Sequence, residues 1–180
     1  MDELDVRLID LFSSEPRIGV LEASRRLGVA RGTVQARLDK LVERGVVTGW
    51  GPDLSPAALG YPVTAFLTLE IRQDVGTSGA EESSGASGHD LVGEHLSQIA
   101  EVLEVHTITG AGDLFARVVA CSNADLQRVI DRVLAHPAIT RSSPVIALAT
   151  QVGYRTLPLA RAATATAGRP LPAGPPPPRQ

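Results

Sequence analysis

The chain has little that would support covalent or redox chemistry. It carries one cysteine, Cys121, in 180 residues, which excludes an internal disulfide and argues against a thiolate metal site. Cys121 lies in an apolar run and reads as a small buried residue. No apolar run approaches the roughly 18 residues a membrane span needs. The first residues, MDELD, are acidic and lack the apolar segment of a signal peptide. A soluble, cytoplasmic protein without a membrane partner is expected. A net charge of only −3 excludes strong non-specific binding over the whole surface. The four histidines, His89, His95, His106 and His136, have no helix-face metal spacing and read as structural or solvated. No catalytic residue, metal or cofactor is indicated.

Glycine and proline are plentiful but local. Residues 73–89, QDVGTSGAEESSGASGH, have almost nothing to bury and read as a flexible loop. Residues 158–180 end in a proline-rich stretch and read as a disordered tail.

Between Gly19 and Gly45 the pattern is richer. Val20, Ala23 and Leu27 mark a short helix, with Gly19 as N-cap and Glu22 reaching back to it. Gly28 supplies the left-handed residue that ends it. A second helix follows at once, with Val34, Leu38, Leu41 and Val42 as its apolar stripe. Thr33, Arg37, Lys40 and Arg44 recur along another face, with Arg31 and Gln35 beside them. An earlier helix over Leu4–Ser14, closed by Pro16, completes a small core. The β-prone Val46–Gly51 would add a wing, packed by Trp50. This is a helix-turn-helix, whose second helix enters the DNA major groove. Charge agrees locally: Arg25, Arg26, Arg31, Arg37, Lys40 and Arg44 face only Asp39 and Glu43 within residues 25–44. Arg31, Gly32, Thr33, Gln35 and Arg37 are expected at base edges or flanking phosphates. Arg25, Lys40 and Arg44 are expected on phosphates.

The second half alternates as a strand over residues 62–72. A helix follows at Val92, Leu96, Ile99 and Leu103. A hairpin over Leu103–Cys121 turns at Gly110-Ala111-Gly112-Asp113. A further helix is capped by Ser122 or Asn123, and a last strand covers about Ile139–Val152. The order βαββαβ is ferredoxin-like. The expected fold class is therefore α+β. Residues 1–50 form a winged helix-turn-helix, 51–61 a hinge and 62–157 the ferredoxin-like domain. Leu114–Cys121, Arg117 apart, and Val145–Ala149 are apolar at both parities, so the sheet face without helices needs cover. A second copy would supply it, and a twofold homodimer suits a helix-turn-helix on a pseudo-palindrome.

The segments LDVRLIDLF, RIGVLEASRRLGVARGTVQARLDKLVERGVVTG, LSPAALGYP, EVHTITGAGDLFARVVA and HPAIT, in this order, resemble the Lrp/AsnC (feast/famine) transcription regulators over about Leu4–Leu157. The resemblance implies a DNA-binding regulator that forms dimers or octamers and binds an amino acid in its C-terminal domain. It implies effector contacts at Gly110, Gly112, Asp113, Thr140, Ser142 and Pro144, with Asp113 facing the ligand ammonium. Read from its residues alone, GAGD is rather a plain hairpin turn with one glycine at positive φ, and only the resemblance brings the two readings level. Two other functions share the layout: a siroheme decarboxylase-like enzyme, and an architectural DNA-wrapping protein without effector. Ala30, where relatives often carry Ser, leaves the recognition helix without a side-chain cap.

Overall fold

The computed structural model describes residues 1–72 and 88–165. Residues 73–87 of the expected loop and 166–180 of the expected tail lie outside the described residues. The chain divides into two compact units: Met1–Pro52 together with the chain from Val152 onward, and Asp53–Gln151.

The first unit opens with α1 (Glu3–Ser14), α2 (Val20–Leu27) and α3 (Arg31–Glu43). A reciprocal capping box starts α1. Asp2 Oδ1 accepts from the Asp5 N–H and Asp5 Oδ2 from the Asp2 N–H, each at 3.0 Å. Helix α2 ends at Gly28, whose φ of 68° is the left-handed conformation that glycine adopts without a Cβ penalty. Gly19 caps α2 without a side-chain bond, and Glu22 turns to Arg25 and Arg26 rather than back to the cap. Two guanidiniums within one turn outcompete a single backbone donor. Leu8, Ala23, Val34 and Leu38 form the core, with Leu4, Phe12, Ile18 and Leu27 packed on it.

No strand forms over residues 46–51, where a wing was expected. The N–H groups of Val46 and Val47 both go to the Leu41 carbonyl, at 2.9 and 3.1 Å, closing the end of α3 instead of joining a ladder. Trp50 does pack: its ring meets Phe12 edge-on at 5.5 Å.

The expectation of a disordered tail fails over its first part. Helix α6 (Leu157–Ala165) belongs to the first unit and packs on α1, where Arg161 Nε lies 2.9 Å from Asp10 Oδ1. Alanine's high helix propensity and Pro158 in the first turn favour the helix. Its partly buried positions are Leu157, Ala160 and Ala163. An Ala160→Asp variant is expected to lower the stability of this unit by about 1–2 kcal/mol through an unpaired charge at that contact. The chain has one tryptophan, Trp50, so denaturant melts followed by its fluorescence report on this unit directly.

The second unit is a four-stranded antiparallel sheet with two helices. Its elements are β1 (Val63–Ile71), α4 (Gly88–Ser97), β2 (Val102–Thr107), β3 (Leu114–Ala120), α5 (Asn123–Leu134) and β4 (Ile139–Ile146). The strand order is β2-β3-β1-β4, and with the element order this is the ferredoxin-like arrangement. Gly88 and His89, placed in the loop by the sequence reading, begin α4. Ala65, Leu67 and Leu69 of β1 and Ala116 and Val118 of β3 bury completely or almost so against Val92, Leu96, Val129 and Val133 of the helices. Ser122 caps α5 by accepting the Asp125 N–H at 3.1 Å.

The opposite sheet face is more mixed than the apolar runs suggested. Phe66 and Phe115 stack at 5.6 Å, and Val145 pairs with Phe66 across β1 and β4. Around this centre stand Glu70–Arg141 at 3.5 Å and Arg117–Glu104 at 3.2 Å. Strand β4 ends before Val152 because its partner runs out. After Ala147 donates to the Thr64 carbonyl, β1 is preceded by Pro62, which has no N–H.

Cys121 is exposed just past the end of β3 rather than buried. His95 and His136, distant in sequence, lie ring to ring at 5.2 Å. No group of three or more metal-binding side chains occurs among the described residues. Glu101 is buried between Arg128 and Arg132. Burial pushes its carboxyl up, but the Arg132 hydrogen bond, a backbone bond and the two guanidinium charges outweigh that and hold it below the ordinary value. The stability this gives is present at neutral pH and is lost as pH falls through the depressed value.

Candidate functional site

Two surfaces concentrate the residues singled out from the sequence, one in each unit. In the first unit the relevant element is α3. Val34, Leu38 and Leu41 fix its inner side. That leaves Arg31, Gly32, Thr33, Gln35, Ala36, Asp39 and Lys40 exposed. The first turn holds no acid, and Ala30 caps it without a side-chain oxygen, as its methyl group dictates. Asp39 and Glu43 sit in the second half, where they would repel phosphate. The N-terminal half of α3 is therefore the half electrostatically suited to a polyanion.

Arg31, Lys40 and Arg44 have no ion-pair partner among the described residues, so their charges are fully available. Arg25 is exposed beside Glu22 at 3.7 Å. Gln35 donates its amide to Asp39 Oδ1 at 2.8 Å, which holds both side chains in place but leaves the acid charged.

Arg37 departs from its expected place on the DNA-facing row. Its guanidinium is turned to α1, where Nη1 meets Asp5 Oδ1 at 2.9 Å and also Asp2 Oδ2. These bonds, to Asp2 first and then Asp5, raise the guanidinium's pKa further, and the Arg37 bond holds the Asp2 carboxyl below its ordinary value. Two carboxylates already in place on α1 are stronger partners than solvent. Nothing in the local spacing of α3 signals this, because the partners lie on another helix.

In the second unit four of the expected effector residues, Gly112, Asp113, Thr140 and Ser142, border the C-terminal end of β1, while Pro144 stands opposite Leu67, nearer its middle. Gly110 has φ 114°, the positive-φ glycine that the hairpin reading required. Gly112 is needed for a different reason. A Cβ there would fall 2.4 Å from Thr68 Cγ2 and 3.1 Å from the Leu69 carbonyl oxygen. The turn can thus lie flat on β1. Asp113 locks it there, donating its N–H to Leu69 O at 2.9 Å and accepting the Ile71 N–H on Oδ2 at 2.8 Å. One carboxylate oxygen of Asp113 is therefore structural, which leaves the other for the ligand ammonium that the resemblance implies.

The same end of β1 meets β4 from the other side. The β1–β4 register shifts between Glu70 and Ile71, and Thr140 Oγ1 donates to the Glu70 carbonyl at 3.1 Å across the bulge. Ser142 Oγ is buried and finds no hydrogen-bond partner among the described residues. Pro144 lies opposite Leu67 on the exposed edge strand, where the missing N–H is tolerated. Thr68, Glu70 and Arg141 border this end of β1 and were not nominated from sequence. The alternation of β1 placed Thr68 and Glu70 on the outer face, and only the strand order shows that the GAGD turn comes to rest beside them.

Comparison with known proteins agrees with both units. Residues 1–48 match the winged helix-turn-helix DNA-binding family, and residues 81–157 match the Lrp/AsnC ligand binding domain. An uncharacterized HTH-type transcriptional regulator of Pyrococcus horikoshii, PH0140, is 30% identical over 130 residues, spanning 72% of this chain and 74% of that protein. Among solved structures, E. coli AsnC superposes with a TM-score of 0.73 at 24% identity, covering 88% of this chain and 99% of AsnC. A feast or famine regulatory protein of M. tuberculosis complexed with L-methionine gives 0.69 at 24% identity, covering 86% and 96%. With a helix-turn-helix whose second helix is exposed and a ferredoxin-like unit matching the ligand binding domain, this chain belongs to the Lrp/AsnC family of transcriptional regulators.

Proposed function

We propose that the protein is a homodimeric, sequence-specific DNA-binding regulator of the cytoplasm that catalyses no reaction and responds to an amino acid. The observation that carries the DNA half is the exposed, acid-free N-terminal half of α3; in this reading Arg31, Gly32, Thr33 and Gln35 turn toward the groove and Arg25, Lys40 and Arg44 take phosphates. The sheet face centred on Phe66, Phe115 and Val145, rimmed by charged pairs, has the apolar-centre and polar-rim anatomy of a protein interface. A second copy placed there presents two reading helices to one duplex.

The effector half takes in Ser142, Thr140, Gly110, Gly112, Asp113 and Pro144 along β1. The Ser142 hydroxyl, buried without a bond among the described residues, stands opposite Leu69 on the helix-covered side of the sheet, so the reading rests on the turn and Thr140 rather than on it. The M. tuberculosis neighbour is complexed with L-methionine, which makes methionine the first amino acid to try.

A thermal-shift screen of the full-length protein against the twenty amino acids tests the sensing half. A ligand at about 100 times its Kd adds about 2.7 kcal/mol and raises Tm by roughly 5–10 °C. A flat response to all twenty would remove the amino-acid reading and favour the DNA-wrapping alternative. Gel shift and sizing on the same sample test the dimer on DNA.

A further inference from the structure

We infer that Arg37 is a positioning residue: clamped by the two carboxylates of the α1 capping box, it sets the rotation of α3 and acts on DNA through the helix rather than by touching it. The inference rests on α3 being the reading helix. Each carboxylate of the box has one oxygen on a backbone N–H, Asp2 Oδ1 on Asp5 and Asp5 Oδ2 on Asp2. The other oxygen of each, Asp2 Oδ2 and Asp5 Oδ1, goes to the same Arg37 Nη1. One motif therefore starts α1 and holds α3.

Three facts favour a clamp over a phosphate contact. Asp5 is a buried acid, and a buried carboxylate needs a charged partner, which Arg37 supplies. The triad carries two negative charges against one positive, so it offers no net attraction to DNA. Arg37 is only 34% exposed at its side chain, whereas Thr33, Lys40 and Arg44 on the same row are exposed.

The clamp answers a geometric need. The Val34–Leu38–Leu41 stripe sets the rotation of α3 loosely, because apolar burial is non-directional. A rotation of about 10° moves a side-chain tip, on a radius of roughly 5–6 Å, by about 1 Å. Base-edge hydrogen bonds do not survive such a shift. An ion pair on the flank of the stripe narrows the range.

The test uses full-length protein, a duplex it selects from a random-sequence library, and a shuffled duplex. Affinity for both is measured across a salt series. Arg37→Ala is expected to lower the selected-to-shuffled affinity ratio roughly tenfold and to leave shuffled-duplex affinity and its salt slope unchanged. The Asp2→Asn/Asp5→Asn double variant is expected to lower the ratio likewise, and all three changes together are expected to do no worse than either. Asp2→Asn alone leaves Asp5 paired and serves if the others fold poorly; a smaller loss of the ratio is expected.

A uniform loss on both duplexes with a slope reduced by about 1 would make Arg37 a phosphate contact. A ratio that rises or stays level when the acids are removed would make it a direct reader, and either result overturns the inference. Arg31→Ala, run in parallel, separates the two levels. If it changes neither affinity nor slope, the reading of α3 itself fails, whatever Arg37 does.

Discussion

Replacing Arg31 and Lys40 together by alanine is expected to weaken binding to duplex DNA about 30- to 100-fold at physiological salt and to flatten the log–log salt dependence by about 2. The two cations stand nine residues apart, about two and a half turns, which puts them on opposite flanks of the exposed face. Between them lie Gly32 and Ala36, which are small, and Gln35 hydrogen-bonded to Asp39. Each cation can then reach the phosphates on its own side of the groove. Neither has an ion-pair partner among the described residues and both are exposed, so their loss should change folding stability by no more than about 0.5 kcal/mol. Isothermal titration or anisotropy at several salt concentrations gives the slope, and a melt of the same samples gives the stability. A slope equal to that of the unaltered protein would mean that this face does not meet phosphate.

The contrast between these two residues and Arg37 shows what sequence periodicity reveals. The stripe Val34, Leu38, Leu41 was legible because helix spacing is local, and so was the left-handed Gly28 between α2 and α3. The same spacing put Arg37 on the cationic row. It could not show that two acids of α1 claim the guanidinium, since that depends on how three helices cross. Asp113 is a parallel case. The turn was readable from its glycines, but the Ile71 N–H that takes one of its oxygens is presented only once β1 lies between β3 and β4. Cys121 was misjudged because it stands one residue past β3, where an apolar run continues after the strand has ended. Helix α6 was masked by its composition. Alanine and threonine give no apolar stripe, and the signals that could have found it were Thr156 and Pro158. Thr156 O accepts the Leu159 and Ala160 N–H groups at 2.9 and 3.3 Å and so starts the helix.

Gly112→Val should destabilise the second unit by about 2–4 kcal/mol, more than Gly110→Ala. The reason is the floor beneath it. A Cβ at 112 meets the Thr68 Cγ2 methyl and, at 3.1 Å, Leu69 O; the methyl can turn about χ1, but the carbonyl belongs to a strand paired on both sides and resists movement. The turn must lift instead. Lifting stretches the Asp113 bonds to Leu69 and Ile71. Overpacking costs about 1–3 kcal/mol, and a backbone donor left without its acceptor costs a similar amount; the two overlap because one movement causes both. At Gly110 a Cβ would have open space, and only its φ of 114° resists a side chain, a strain of about 1–3 kcal/mol. Hydrogen exchange locates the damage: the Ile71 amide should lose protection in Gly112→Val and keep it in Gly110→Ala. Because Thr140 sits in the β1–β4 bulge and donates to the carbonyl of Glu70, the residue before Ile71, the lifted turn should also abolish any amino-acid response. The first unit's Trp50 melt should be unchanged. An unprotected Ile71 amide in the unaltered protein would mean that Asp113 does not hold the turn down, and Gly112 would then be replaceable.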